Sequence, residues 1–323
     1  MTQSEIAKKL NLTQAAVSMA LNRHPAISEA TRNRVLELAG KCGYRPNIAG
    51  QMLRRKRTNI IGVILPMLTN SYFAELFLLL QDHLEKAGFV LHLSQVRSTE
   101  EFMSALDSLR RINIGGLITL AENTDILMEL KESGLPMALY GAGHDLPGIC
   151  QVSPDHYAAG FEMTEYLISR NCRRILFAGR RFEQEARCAG FLAACSKHGV
   201  TPEGIISLDP CEPATPEAGW SIMNKFLDSG NTCDAVFAHN DELALGVIRS
   251  AREHGIRVPE DMLVSGFDNI TLSEYLSPPL TTVEQPKEQI AKALAEELIK
   301  SIADNSYAGK VNIACRIVKR VSA

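Results

Sequence analysis

Residues 4–22 read SEIAKKLNLTQAAVSMALN, two short apolar faces with a break between them. Ser4 can cap a first helix whose Ile6, Ala7 and Leu10 share one side. Asn11-Leu12 makes a turn, and Thr13 can cap a second helix with Ala16, Val17, Ala20 and Leu21 turned inward. Ser28 then caps a third helix that carries Val35, Leu36 and Leu38 and ends near Gly40 and Gly43. Two helices joined by a tight turn and backed by a third predict a helix-turn-helix. Small side chains at Ala15, Ala16, Ser18 and Ala20 let the second helix come close both to the first helix and to base edges in a major groove. A plain three-helix bundle has the same periodicity.

Charge adds to this reading. Residues 1–57 hold eleven Lys and Arg against three Glu, a balance of +8, while the rest of the chain holds 23 bases against 34 acids, −11. A small cationic module on a larger acidic body is the footprint of a polyanion binder, because each neutralised phosphate releases counterions. A charged, solvated surface is the alternative that charge alone leaves open. Pro46 suits a helix start, so NIAGQML (47–53) can form two helical turns before the run Arg54-Arg55-Lys56-Arg57. Gly50 costs that helix about 1 kcal/mol relative to Ala, and so short a helix is marginal in water, so it should fold only when docked.

From Asn59 the texture changes. Short apolar runs at 60–65, 89–94, 116–120 and 136–140 alternate with helical patterns near 72–87, 99–111 and 124–133. A second series of runs follows at 173–179, 204–209, 234–239 and 262–268. Each series predicts a doubly wound parallel sheet, so the fold class is an all-α helix-turn-helix head plus α/β, with two lobes of doubly wound parallel sheet. Ligands of such sheets sit beyond the carboxyl ends of the strands, which places a site between the lobes.

At 323 residues, 46% apolar and 22% charged, the chain can bury several cores. The polar start MTQSEIAKKL lacks the apolar segment of a signal sequence, and no apolar run approaches the roughly 18 to 20 residues that span a bilayer, so a cytoplasmic protein without a membrane partner is expected. Eight scattered cysteines form no C-x-x-C pair and read as reduced thiols, with no metal site and no cofactor. The motifs G-x-S-x-G, H-E-x-x-H, G-x-x-x-x-G-K-[ST] and G-x-G-x-x-G are all absent, and the eight histidines do not cluster, so no enzyme is expected.

Beyond these bounds the chain resembles the lac repressor (LacI/GalR) family of bacterial transcription factors nearly end to end. The likeness is carried by SEIAKKLNLTQAAVSMALN, ISEATRNRVLELAGKCGYRPN, IIGVILP followed by NSYFAEL, RCAGF, FAHNDELALG, RVPEDMLVSGFDNI and PPLTTVEQP, in the family's order. It implies a head at 1–43, a hinge helix and basic linker at 44–57, and an effector-binding and dimerisation body at 58–323. In that family the second helix reads the operator, which assigns base reading to Gln14 and Ala15 with Ala16, Ser18 and Met19 nearby. Gln can pair with adenine and Ala can meet a thymine methyl. Most relatives carry Arg where this chain has Met19, and Met cannot donate to guanine. Thr13, Ser18, Asn22 and Thr31 match phosphate-contacting positions, and capping by Thr13 and turn bonding by Asn22 are compatible with that role. NIAGQML resembles the family's hinge helix, with Leu53 as the wedge driven into the minor groove and Gln51 beside it. The usual Ala-Arg is Gly50-Gln51 here, so hinge folding should be weaker.

For the cleft, the resemblance implies Tyr72, Phe73, Arg187, Asn240, Asp268 and Gln285 as effector-binding residues. Aromatic faces stack on a sugar or base, while Arg, Asn and Asp offer donors and acceptors to vicinal hydroxyls. Five residues after Pro136, where many relatives place a sugar-binding Asp, this chain has Gly141, so a small carbohydrate or sugar phosphate lacking that contact is the expected effector. Phe77-Leu78-Leu79-Leu80 makes its helix apolar all round, which fits the interface of a homodimer reading a pseudo-palindromic operator. No leucine-heptad tail follows Arg316-Ile317-Val318. A sugar-binding protein of the periplasmic type shares the two-lobed plan, but it would begin with a signal peptide where this chain has a cationic helical module.

Overall fold

The computed structural model describes residues 2–21, 26–42, 58–120, 124–132, 134–141, 146–179, 185–208 and 213–323. Its contacts divide the chain into two units, Met1–Thr58 and Asn59–Ala323.

The first unit holds α1 (Gln3–Leu10), α2 (Gln14–Leu21) and α3 (Glu29–Lys41). The cap of α1 is Thr2 rather than the expected Ser4. Thr2 forms a reciprocal capping box with Glu5, accepting from its backbone N–H while the Glu5 carboxylate accepts from the Thr2 backbone, and Ser4 rides inside the first turn. Asn11 closes α1 in the left-handed region at φ 53°, which Asn tolerates better than other side chains and which turns the chain into α2. Thr13 accepts from the Ala16 N–H at 3.1 Å, and Ser28 caps α3 through the Thr31 N–H. Ile6, Ala7, Val17, Ala20, Val35 and Ala39 form the core. Leu36 falls on the wrong side of α3 and stands 42% exposed, and Ala39 takes the inward place.

The second unit contains two six-stranded sheets. The first has the order β11-β5-β4-β3-β1-β2, with β1 (Ile60–Leu65), β2 (Val90–Gln95), β3 (Gly116–Thr119), β4 (Met137–Tyr140), β5 (Cys150–Pro154) and β11 (Lys310–Ile313) all parallel. The second has the order β12-β10-β9-β8-β6-β7. Its β6 (Ile175–Gly179), β7 (Gly204–Ser207), β8 (Ala235–Ala238), β9 (Leu263–Asp268) and β10 (Thr281–Glu284) are parallel, and β12 (Arg316–Val318) runs antiparallel at the edge. Central strands such as β3, β4, β6, β8 and β9 are buried throughout, as a sheet covered on both faces requires, while the edge strands β2 and β7 are not.

Helices cover both faces of each sheet. In the first lobe α4 (Ser71–Lys86) and α11 (Lys287–Ala303) pack one face, and α5 (Thr99–Arg111) with α6 (Thr124–Glu132) packs the other. In the second lobe α7 (His156–Ser169) and α8 (Ala186–Lys197) pack one face, and α9 (Pro216–Asp228) with α10 (Asp241–Glu253) packs the other. The chain passes between lobes three times, from β5 into α7, from β10 into α11 and from β11 into β12. Strands β5, β10, β11 and β12 were not predicted. Gln151 and Ser153 in β5 and Thr281 and Thr282 in β10 break the apolar runs that mark the other strands, yet Gln151, Thr281 and Thr282 are buried and hydrogen-bonded.

Among the described residues no helix is long and apolar enough to cross a membrane, and no group of His, Cys, Asp and Glu is disposed to hold a metal. The seven described cysteines are free thiols.

Candidate functional site

Two places concentrate chemistry. In the first unit, α2 buries Val17 and Ala20 and leaves Thr13, Gln14 and Ala15 exposed at its amino end, with Ala16, Ser18 and Met19 half-buried. Thr31 sits in the first turn of α3, its hydroxyl accepting from Ser28 Oγ at 2.9 Å. Lys8, Lys9, Arg34 and Lys41 are exposed on the same unit. Asn22, Gln51, Leu53 and the 44–57 hinge and linker lie outside the described residues.

The second place is where the two lobes meet. Tyr72 stands in the first turn of α4 and Tyr140 ends β4; their hydroxyls are 2.8 Å apart. Tyr140 donates to Gln285 Oε1 at 2.7 Å, and the Tyr72 hydroxyl lies 3.2 Å from the same oxygen. His156 Nε2, at the start of α7, is 2.9 Å from it. Gln285 Nε2 donates to Asp268 Oδ1 at 2.6 Å. Arg187 lies over the Phe267 ring, its Cζ 4.2 Å from the ring centroid, and donates from NH1 to the His239 carbonyl at 2.8 Å. Its buried Nε has no hydrogen-bond acceptor and lies 3.9 Å from the Glu185 carboxylate. Tyr72, Arg187, Asp268 and Gln285, all expected from the sequence, therefore converge at the carboxyl ends of strands from both sheets.

Two expected residues fit less directly. Phe73 packs edge-on to Tyr72 with centroids 5.4 Å apart and belongs to the rim of the first lobe's core. Asn240 caps α10, its oxygen accepting from the Leu243 N–H at 2.8 Å and its nitrogen donating to the Ala214 carbonyl at 3.1 Å, so both ends of its amide are occupied. Tyr140, His156 and Phe267 were not anticipated. Tyr140 closes the predicted run 136–140, as Asp268 closes the run 262–268, so the rule that ligands lie beyond strand carboxyl ends also points to it, whereas Asp268 itself came from the resemblance. His156 gave no such signal, because it follows the unpredicted β5.

Burial governs the electrostatics. Burial raises Asp268 to about 7 against the lowering pull of Arg187. His156 is pushed down to about 3 by burial and by the positive Arg187, so it is neutral. Burial also holds both tyrosines protonated, well above the usual phenol range. Asp268 and Asn269 lie at φ 111° and 48°, a strain on the order of 1–3 kcal/mol each. Gly141 sits at φ 126°, bonded through its N–H to the Val152 carbonyl, so an Asp there would be strained.

A stability signature follows. In the fold Asp268 keeps its proton up to about pH 7, while in the unfolded chain it loses it near 3.8. Between those values the folded state binds more protons, so this group's contribution to stability falls as pH rises. Asp268→Asn removes that loss, and the variant is expected to gain roughly 3 kcal/mol more over wild type at pH 8 than at pH 4.5. Denaturant melts at the two pH values check this, and an equal gap at both would contradict it.

Contacts between lobes frame the site. Glu242 Oε1 accepts from the Ser71 N–H at 3.2 Å, Glu75 accepts from Thr271 Oγ1 at 2.9 Å, and Lys287, paired with Glu75 within the first lobe, donates to the Asn269 carbonyl at 2.9 Å. Asp241, buried beside Asn240, accepts from the Ile270 N–H, Ser273 Oγ and Thr282 Oγ1, clamping the loop behind Asp268. An open groove of about 600 Å³ lies elsewhere, between α9 and α10, lined by Pro216, Trp220, Leu245 and Arg249 among others, and shares no residue with the junction. Chemistry, not concavity, selects the junction.

Comparison with known proteins agrees with this layout. Residues 2–47 match the family described as bacterial regulatory proteins, lacI family, and residues 164–323 match a periplasmic binding protein-like domain. The chain is 30% identical over 302 residues to the HTH-type transcriptional repressor CytR of Escherichia coli, covering 90% of this chain and 86% of that one. The fold follows the lac repressor dimer solved with operator and the anti-inducer ONPF, with a TM-score of 0.88 at 22% identity over 100% of this chain and 98% of that one. A LacI family transcriptional regulator from Enterococcus faecium, solved with bound ribose, matches with a TM-score of 0.73 at 28% identity over 82% of this chain and 98% of that one. Head, lobes and a 30% identity that runs over 90% of the chain point the same way: the chain belongs to the lacI family of bacterial regulatory proteins.

Proposed function

We propose that this protein is a dimeric, sequence-specific transcriptional repressor of the cytoplasm whose hold on operator DNA is set by a small carbohydrate bound between its lobes. Residues 1–43 read DNA, 44–57 form the hinge and linker, and 58–323 bind the effector and the second subunit. The observation that carries the reading is the polar junction itself. Side chains from both lobes and from the crossovers bond to one another through Gln285, so a ligand that takes over those bonds must change how the lobes meet. An effector that prefers one lobe arrangement then shifts operator affinity by the factor of its own preference.

In the cleft, Arg187, Asp268 and Gln285 bond the effector's hydroxyls, and Tyr72 and Phe73 wall it. Asn240 joins them by exchanging its bond to the Ala214 carbonyl. The ribose bound by the Enterococcus relative supports a carbohydrate. Dimerisation is supported by uncovered apolar side chains on the first lobe, Leu78 at 64% exposure on α4 and Val90 at 56% on the edge strand β2.

The test is selection from random duplexes with the full chain, followed by thermal-shift screening against ribose, cellobiose, glucose 6-phosphate and hypoxanthine. A pseudo-palindrome and a rise in Tm with a sugar are expected; absence of any sequence preference overturns the reading. Met19→Arg supplies the bidentate guanine donor that Met lacks, so it should favour operators with guanine at the facing step by about 1–3 kcal/mol. An unchanged selected consensus would remove Met19 from the base-reading set.

A further inference from the structure

The Gln285 amide is held from two opposite sides, and the two sides make opposite demands. Toward Asp268 it presents Nε2 at 2.6 Å, which suits an ionised carboxylate. Toward the other side it presents Oε1, which carries no proton, to Tyr140, Tyr72 and His156. The donors are thereby ordered. His156 must hold its proton on Nε2, Tyr140 gives its proton to Gln285, and Tyr72 gives its own to Tyr140.

We infer that His156 and Asp268 together determine which end of the Gln285 amide faces the tyrosines, so that protonation of Asp268 reverses the amide and moves the His156 proton from Nε2 to Nδ1. A protonated Asp268 donates an O–H, which Oε1 accepts once the amide has turned. The NH2 group then faces Tyr140 Oη and the bare Nε2 of His156. Asp268 takes one proton from solvent. His156 exchanges its proton between nitrogens through solvent, with no net change. The reversed order leaves one tyrosine hydroxyl proton without a protein acceptor, and a water or effector oxygen in the cleft takes it. His156 acts as a positioning residue here, working through Gln285.

The surroundings set the range. Facing Asp268 are Arg187 from α8, Asp241 from α10 and Lys287 from α11. Arg187 also faces His156, and Cys315, between β11 and β12, faces Tyr140 and Asp268. With Asp268 near 7 and His156 near 3, the carboxyl titrates while the imidazole stays neutral, so tautomer change is not confused with protonation.

The inference builds on the effector reading only for its consequence, that the cleft gains a donor as pH falls; its test needs no effector. Full-length protein labelled with 15N at its eight histidines is examined by long-range 1H–15N correlation, with His156 identified by its loss in His156→Gln. The Nε2–H tautomer is expected near pH 8.5 and the Nδ1–H tautomer near pH 5.5, and Asp268→Asn should show one tautomer at both. Three results overturn the inference: Nε2–H at both values in wild type, as when Asp268 takes its proton on Oδ2 without reversal; the same change persisting in Asp268→Asn; or a charged imidazole near pH 5.5. None of these bears on whether sugars bind, which the thermal-shift panel decides separately.

Discussion

Operator binding by the full chain is expected to weaken about 10³- to 10⁵-fold when salt is raised from 50 to 200 mM, the loss that accompanies six to ten neutralised phosphates. The head supplies the charge: residues 1–57 carry +8, and a dimer brings two heads. Within the head the carriers are placed for it. Lys8, Lys9, Arg34 and Lys41 are exposed, and none of α1, α2 and α3 buries a cation in its core. Lys41 is partly engaged by Glu37 at 2.7 Å, a pair too exposed to resist competition from a phosphate. The body beyond residue 57 carries −11, so it repels the duplex and cannot substitute for the head. Fluorescence anisotropy on the selected operator across that salt range gives the slope directly. A flat line would mean that the basic head does not bind the backbone, and base reading by Gln14 and Ala15 would then lack the phosphate contacts that hold them in register.

How much of this was legible in the sequence depends on what each residue does. The head helices announce themselves because caps are local: Thr13 and Ser28 each bond a group three residues away. Ser4 failed by the same logic, since Thr2 with Glu5 offered a stronger local pairing two residues earlier. Central strands were legible because burial on both faces leaves continuous apolar runs, as in IIGVIL. The strands at the lobe crossovers were not: Thr281 and Thr282 satisfy their polar atoms with partners distant in sequence, such as Asp241 for Thr282, and Gln151 interrupts its strand's apolar run while bonding the Leu146 carbonyl. The junction divides in the same way. Asp268 ends a predicted strand and could be read, while Gln285 and His156 each follow a strand that could not, and Gln285 was reached through the family resemblance alone. The double use of Asn240, cap and candidate ligand, is a tertiary fact that no local pattern carries.

Gly160→Ala is expected to destabilise the second lobe by about 3 kcal/mol or more, the upper range for forced overpacking, and to abolish any effector-induced rise in Tm. Helices α7 and α8 cross with Gly160 and Gly190 facing each other's backbones. A methyl group on Gly160 would press into the carbonyl of Arg187, with the Arg187 Cα only 3.0 Å away; one on Gly190 would press into the Tyr157 carbonyl and lie 2.7 Å from the Phe161 nitrogen. Side chains can rotate away from a new methyl, but helix backbones cannot, so the two helices must part. Arg187 lies in the first turn of α8, and its guanidinium depends on the Phe267 face at 4.2 Å and the His239 carbonyl at 2.8 Å. Moving α8 by even an ångström breaks both, and the charge is then poorly placed for an effector. The pair Gly219 and Gly246 joins α9 to α10 by the same device, but those helices do not carry Arg187, so Gly246→Ala should cost stability without this link to Arg187. Gly40 is the contrast, exposed in α3 with nothing within 4 Å of the added carbon. There the same substitution should stabilise the head by up to about 1 kcal/mol through helix propensity. Should Gly160→Ala melt within a degree or two of wild type, close backbone seating would not be what positions Arg187, and the cleft would owe its geometry to the Phe267 and His239 contacts alone.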